Sequence, residues 1–199
     1  GVDPAMFSED MAARRHAGGG IPVDHLSVEG YVRGMSRKRP DIAVTILRIP
    51  AILGLPEPTV VGELLLPSVA PVLAGYDPRI QLLHPQDALD LLVTATVRAM
   101  GQVPRAQLAH LFSLLPKIGL HESALSDEHL SAIATAAVRT GTTVEVNEKW
   151  RCPGPRAVLA FAGAGVTLVG STDSHEASSV GRYSWVAGSV TTEHLADVR

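Results

Sequence analysis

The chain has 199 residues, room for one large domain or two small ones, and 46% hydrophobic with 19% charged residues is a globular composition that argues against disorder. A formal net charge of −3 and a pI near 6.2 offer no basic face for nucleic acid, and no apolar run approaches the roughly 20 residues of a membrane-spanning helix, so neither partner is expected. Residues 1–20 contain no apolar centre of a signal peptide, and the single Cys152 has no internal disulfide partner, which together predict a cytoplasmic location.

Gly1-Val2-Asp3-Pro4-Ala5 ahead of Met6 reads as a vector-like remnant, and residues 1–20 are set apart as a leader. Gly18-Gly19-Gly20 is a flexible stretch, since no strand precedes it and no Lys-Ser or Lys-Thr follows it as in a phosphate loop. Residues 23–39 have helical spacing, with Leu26, Gly30 and 32–35 near one face and Arg37, Lys38 and Arg39 at the end. Pro40-Asp41 is the break. Residues 42–47 form a near-continuous β-branched run, predicted as a strand buried on both faces of a parallel sheet. A loop over 50–58 follows, then a short helix over 60–66 and a short strand over 80–83. Asp87 is expected to cap a helix running through Arg98, whose Leu89, Leu92, Val93 and Thr96 recur at three and four.

Residues 101–104 read as a linker, and 107–112 as a strand. Ser126, with Asp127 and Glu128, opens an amphipathic helix to Thr140 that Gly141 stops. A strand at 144–146, a helix at 155–162 ended by 163–165, and a strand at 166–169 complete the pattern. Such alternation predicts an α/β fold with a parallel or mixed sheet. Two incomplete half-domains are expected, 21–100 and 105–199. Each alone leaves a sheet edge open, so they are expected to pack together or to be completed in a homo-oligomer.

The first half carries Val28-Glu29-Gly30-Tyr31-Val32, then Val44-Thr45-Ile46-Leu47-Arg48-Ile49-Pro50-Ala51-Ile52-Leu53-Gly54, then Gln81-Leu82-Leu83-His84-Pro85-Gln86-Asp87-Ala88. Over 23–100 this resembles the later half of an extended short-chain dehydrogenase/reductase, the NAD-dependent nucleotide-sugar epimerases above all. The resemblance implies substrate contacts near Arg48 and Gly54, while the plainer reading of Arg48 is an ion pair. A dinucleotide fold holds pyrophosphate on a glycine-rich strand-to-helix turn, which this sequence does not show. The family's Tyr and Lys, four residues apart, align with Val23 and Ser27, so no NAD is expected as a cofactor.

The second half carries Ser171-Thr172-Asp173-Ser174-His175 directly after a buried strand. Residues two apart on extended chain face the same way, and this end of the strands is where α/β sites are built, so Asp173 and His175 can address one ion. With Val144-Glu145-Val146-Asn147, Val180-Gly181-Arg182-Tyr183 and Leu108-Ala109-His110, residues 105–186 resemble the closing part of the polymerase-and-histidinol-phosphatase metal hydrolases. That family's distorted β/α barrel holds up to three metals that activate water against a phosphoester. The resemblance implies His110, Asp173 and His175 as ligands of a labile zinc or manganese ion, with Glu145 and Asn147 as pocket neighbours. The family's opening His-x-His pair, and the carboxylate and histidine that follow it, have no counterpart in these residues. No catalytic residue is therefore assigned.

The expected function is a folded fusion of two partial enzyme domains, recombined or engineered, without intact catalysis. The alternatives are a metal-dependent phosphoesterase completed by oligomerisation and a nucleotide-sugar binding module. Among the remaining polar residues, His121 and His129 with Glu122 and Glu128 read as solvated positions, and His84 as a structural hydrogen-bonding group at a strand end. Cys152 beside Arg151 is either a favoured thiolate or an inert loop thiol. Ser113 has no base positioned by sequence.

Overall fold

The computed structural model describes residues 21–42, 44–55, 63 and 81–190. The leader and nearly all of the helix expected at 60–66 lie outside them. The described residues fall into two compact units, one of 21–42, 44–48 and 81, the other of 49–55, 63 and 82–190.

The first unit is built on α1, Ile21–Lys38, whose last turn carries Arg37 and Lys38 where the helix dipole favours positive charge. The segment after it folds back so that Arg48 grips Glu29 of α1 with both sides of its guanidinium, Nε to Oε2 at 3.0 Å and Nη2 to Oε1 at 2.6 Å. The β-branched run expected as a strand at 42–47 is not one: its described residues run without a ladder. β-propensity favours a pleated surface but does not supply the neighbouring strand that makes one.

The second unit opens with β1, Ala51–Ile52, parallel to β2, Leu82–Leu83. Helix α2, Pro85–Gln102, follows, and its N-cap is His84 rather than Asp87. Proline suits the first helical position, so Pro85 pulls the start forward and His84 Nδ1 accepts the Gln86 N–H at 3.2 Å. Asp87 then lies in the first turn, where a carboxylate complements the dipole. At its other end the helix continues through Gly101 and Gln102, half of the expected linker, and the turn is confined to 103–105.

Three parallel strands follow in the order β3-β4-β5: Gln107–Leu108, Thr143–Asn147 and Leu168–Ser171. The fold is thus α/β with parallel strands, as expected. β3 is much shorter than the run predicted at 107–112, because His110 turns into the left-handed region at φ 35° and Phe112 at 76°. β5 starts two residues later than predicted, where Leu168 comes alongside Val144. Between them lie α3, Asp127–Thr140, and α4, Pro155–Gly163; the short α5, Ser184–Val190, comes last.

α3 begins as read from sequence, with Ser126 as N-cap, and ends on Gly141 at φ 66°, which satisfies the last carbonyls without a Cβ penalty. The reciprocal half of the capping box comes from His129, whose Nδ1 accepts the Ser126 N–H at 3.1 Å. His129 is therefore buried, not solvated. Its Nε2 meets Asp90 of α2 at 2.6 Å. Since Nδ1 is an acceptor, the ring proton sits on Nε2 and donates to the carboxylate.

The described residues of this unit hold two apolar clusters, a small one of Val146, Val158 and Val186 and a much larger one. Leu89, Val93 and Met100 of α2 join Leu130 and Ile133 of α3 and Phe161 of α4 in it. Chain on both sides of the 103–105 turn fills the same core.

Candidate functional site

β4 is the central strand, and Val144 to Asn147 are all buried. Glu145 and Asn147, two apart, share a face, and Asn147 Nδ2 donates to Glu145 Oε2 at 3.1 Å. The same carboxylate oxygen accepts the backbone N–H of His110. Glu145 thus binds the end of β3 to β4, and Asn147 Oδ1 accepts the Trp150 N–H at 2.9 Å, shaping the turn after β4. Both expected pocket neighbours stand at the sheet's C-terminal end as its internal bracing.

That turn projects two side chains across the strand ends. The Trp150 indole N–H donates to Asp173 Oδ2 at 2.8 Å, and its ring centre lies 6.2 Å from that of His110. Lys117 Nζ stands 4.5 Å from the centre of the Trp150 ring, a cation–π contact. Lys149 Nζ reaches His175, 3.0 Å from Nδ1 and 3.4 Å from Nε2. His175 Nδ1 also lies 2.8 Å from the backbone oxygen of Asp173. A single ring nitrogen cannot both donate to that carbonyl and accept from an ammonium. A proton on Nδ1 satisfies the carbonyl contact, and Lys149 Nζ, nearer to Nδ1 than to Nε2, then stands beside the ring as a charge, off the axis of the Nε2 lone pair.

His110 and Asp173 share a backbone property. Their φ values are 35° and 45°, and Arg151, in the turn between them, is at 52°. Left-handed backbone at a residue other than glycine costs of order 1–3 kcal/mol and collects at functional sites. His110 also has Ser113 Oγ 3.3 Å from its Nδ1.

The structure brings His110 and Asp173 to the same tryptophan and His175 to the neighbouring lysine. It does not gather three donors: among the described residues no group of three His, Cys, Asp or Glu side chains is placed to hold a metal ion. As arranged, the three residues do not fit a multinuclear centre. Lys149 engages His175 and the Trp150 indole engages Asp173. Lys149, Trp150 and Lys117 were missed by sequence reasoning. Their signal was position, directly after the central strand in the case of the first two, at the end where sites are built.

The other candidates have separate surroundings. Arg33 Nε joins Arg48 on Glu29, at 2.9 Å from Oε1. Hydrogen bonds from Arg48 first, then Arg33, hold the Glu29 carboxyl down to about 2. Arg48 is thus an ion-pair residue here. Gly54 lies in the other unit, at φ 81° just after β1. Cys152 is buried and far from a thiolate: burial first, then the Glu122 and Glu145 carboxylates, push its thiol up to about 12. Glu122 is no solvated residue either. It accepts the Gly154 N–H on both oxygens, at 2.8 and 2.9 Å, across the N-terminus of α4, and burial raises its carboxyl.

No helix among the described residues is long and apolar enough to cross a membrane. No family model matches the chain, and no solved structure matches it. Proteins described as uncharacterized from two strains of Mycobacterium tuberculosis and from Mycobacterium bovis are 47% identical to it over 95 residues. That stretch is 48% of this chain and 25% of each relative, so the chain spans about a quarter of the length of the curated relatives it matches.

Proposed function

We propose that the chain is a folded joining of two partial α/β enzyme pieces without intact catalysis, whose sheet end keeps a weak, exchangeable site for one zinc or manganese ion. The observation that carries this reading is the occupancy of the expected ligands by the chain's own groups: Lys149 on His175 and the Trp150 indole on Asp173. An ion entering there must displace an ammonium and an indole N–H, which weakens binding. Water activation further needs an open coordination position on a firmly held ion, and a leaving oxygen gains from a second one.

The second reading, a metal-dependent phosphoesterase completed by another copy, is favoured by the strained backbone at His110 and Asp173. One experiment separates the two. Purified protein is titrated with zinc and manganese, and hydrolysis of p-nitrophenyl phosphate is followed at saturating metal. We expect exchangeable binding that is lost in Asp173→Ala and His175→Ala, with hydrolysis at background. Robust metal-dependent turnover that those variants abolish would overturn the non-catalytic reading in favour of the phosphoesterase.

A further inference from the structure

A metal-ligating histidine ordinarily donates one ring N–H to a carbonyl or carboxylate, which orients the ring and turns the other nitrogen's lone pair toward the ion. His175 is oriented in this manner, with Nδ1 against the Asp173 carbonyl oxygen at 2.8 Å. The cation that its ring meets is the ammonium of Lys149. Lys149 stands two residues beyond the end of β4, and β4 is registered on β5 through Asn147 and Ser171, so the ladder itself delivers Lys149 to the loop that carries His175. The turn is held from both sides. Asn147 Oδ1 fixes the Trp150 N–H, while Glu148 accepts the N–H groups of Trp185 and Val186 at 2.8–2.9 Å.

We infer that Lys149 is a tethered cation that occupies the His175 end of the sheet-end cluster and keeps divalent ions out of it. The inference rests on the reading of His110, Asp173 and His175 as a residual metal site, and it names what sets that site's affinity. An ammonium held beside the imidazole repels an incoming dication. Arginine at the same position keeps the charge; methionine keeps the stem and removes it.

The test is calorimetric titration of wild type, Lys149→Met, Lys149→Gln, Lys149→Arg and the Lys149→Met/His175→Ala double variant with zinc chloride and with manganese chloride. Circular dichroism first shows that each variant is folded; Lys149 is exposed, and the glutamine variant stands in should the methionine variant fail. The expected result is at least tenfold tighter binding in Lys149→Met than in wild type, no gain in Lys149→Arg, and loss of the gain in the double variant. Equal affinity of Lys149→Met and a binding-competent wild type sinks the inference and leaves the metal-site reading standing. Binding by Lys149→Met alone, with none by wild type, upholds the inference and removes the claim that the natural chain binds metal. Binding by neither overturns both.

Discussion

Cys152 shows how position overrides neighbourhood in sequence. Arg151 beside it offers a charge that could favour a thiolate, but the plainer reading, an inert thiol, is the one the structure bears out: the thiol is buried, and burial and the carboxylates of Glu122 and Glu145 oppose ionisation. Its value in the folded chain is raised from 9.0 to about 12, so the folded state holds its proton longer than the unfolded state does. By linkage, stability is lost as pH rises past about 9 and on toward about 12. Two measurements check this. Urea midpoints should fall between pH 9 and pH 10.5, less so in Cys152→Ala. Iodoacetamide labelling of the native protein at pH 8 should proceed only at the rate of opening, and rapid native labelling would contradict a buried thiol. Glu29 works the other way: its carboxyl is held to about 2, so the stabilisation from its arginine partners is present above the ordinary carboxylate range and is lost as pH falls toward that value.

At the scale of elements, the helices were more legible than the strands. α3 was readable from both ends because Ser126 and Gly141 are local signals that act on their own turn. The run at 42–47 misled because a strand depends on a partner, and no local signal says where the partner lies. The site divides similarly. Asp173 and His175 could be singled out by their spacing, but Asp173 at φ 45° breaks the extended alternation that the spacing assumed, and the Lys149 and Trp150 contacts depend on the register of β4 against β5. His129 was misjudged for a third reason. A histidine at the third helical position gives no sign of being the capping partner, a role usually filled by Glu or Gln. We predict that His129→Ala costs about 1–3 kcal/mol, since it removes a cap and strands the Asp90 contact. His129→Gln should recover part of that. A double-mutant cycle with Asp90→Ala in urea should give a coupling of about 0.5–3 kcal/mol. A coupling of zero would mean that the 2.6 Å contact contributes nothing to stability.

At the scale of the whole molecule, β3 and β5 each pair with β4 alone among the described residues, so both sides of the three-stranded sheet are edges. Open edges invite another chain. We predict a homodimer or higher oligomer, checked by light scattering at tens of micromolar, where a clean monomer mass would refute it. We also predict no measurable NAD or NADP binding by calorimetry, given Val23 and Ser27 at the positions aligned with the epimerase Tyr and Lys; micromolar affinity would refute that. The shared core has a different consequence. Val103, Pro104 and Arg105 form an exposed turn, yet Met100 before it and Leu130 and Ile133 after it are buried in one cluster. The polypeptide can therefore be cut at this turn without being taken apart. A protease that nicks it should leave the protein eluting as before, and separately produced fragments 1–103 and 104–199 should be insoluble alone but reassemble when refolded together. The turn is thus a ready place to split the chain into a complementing pair.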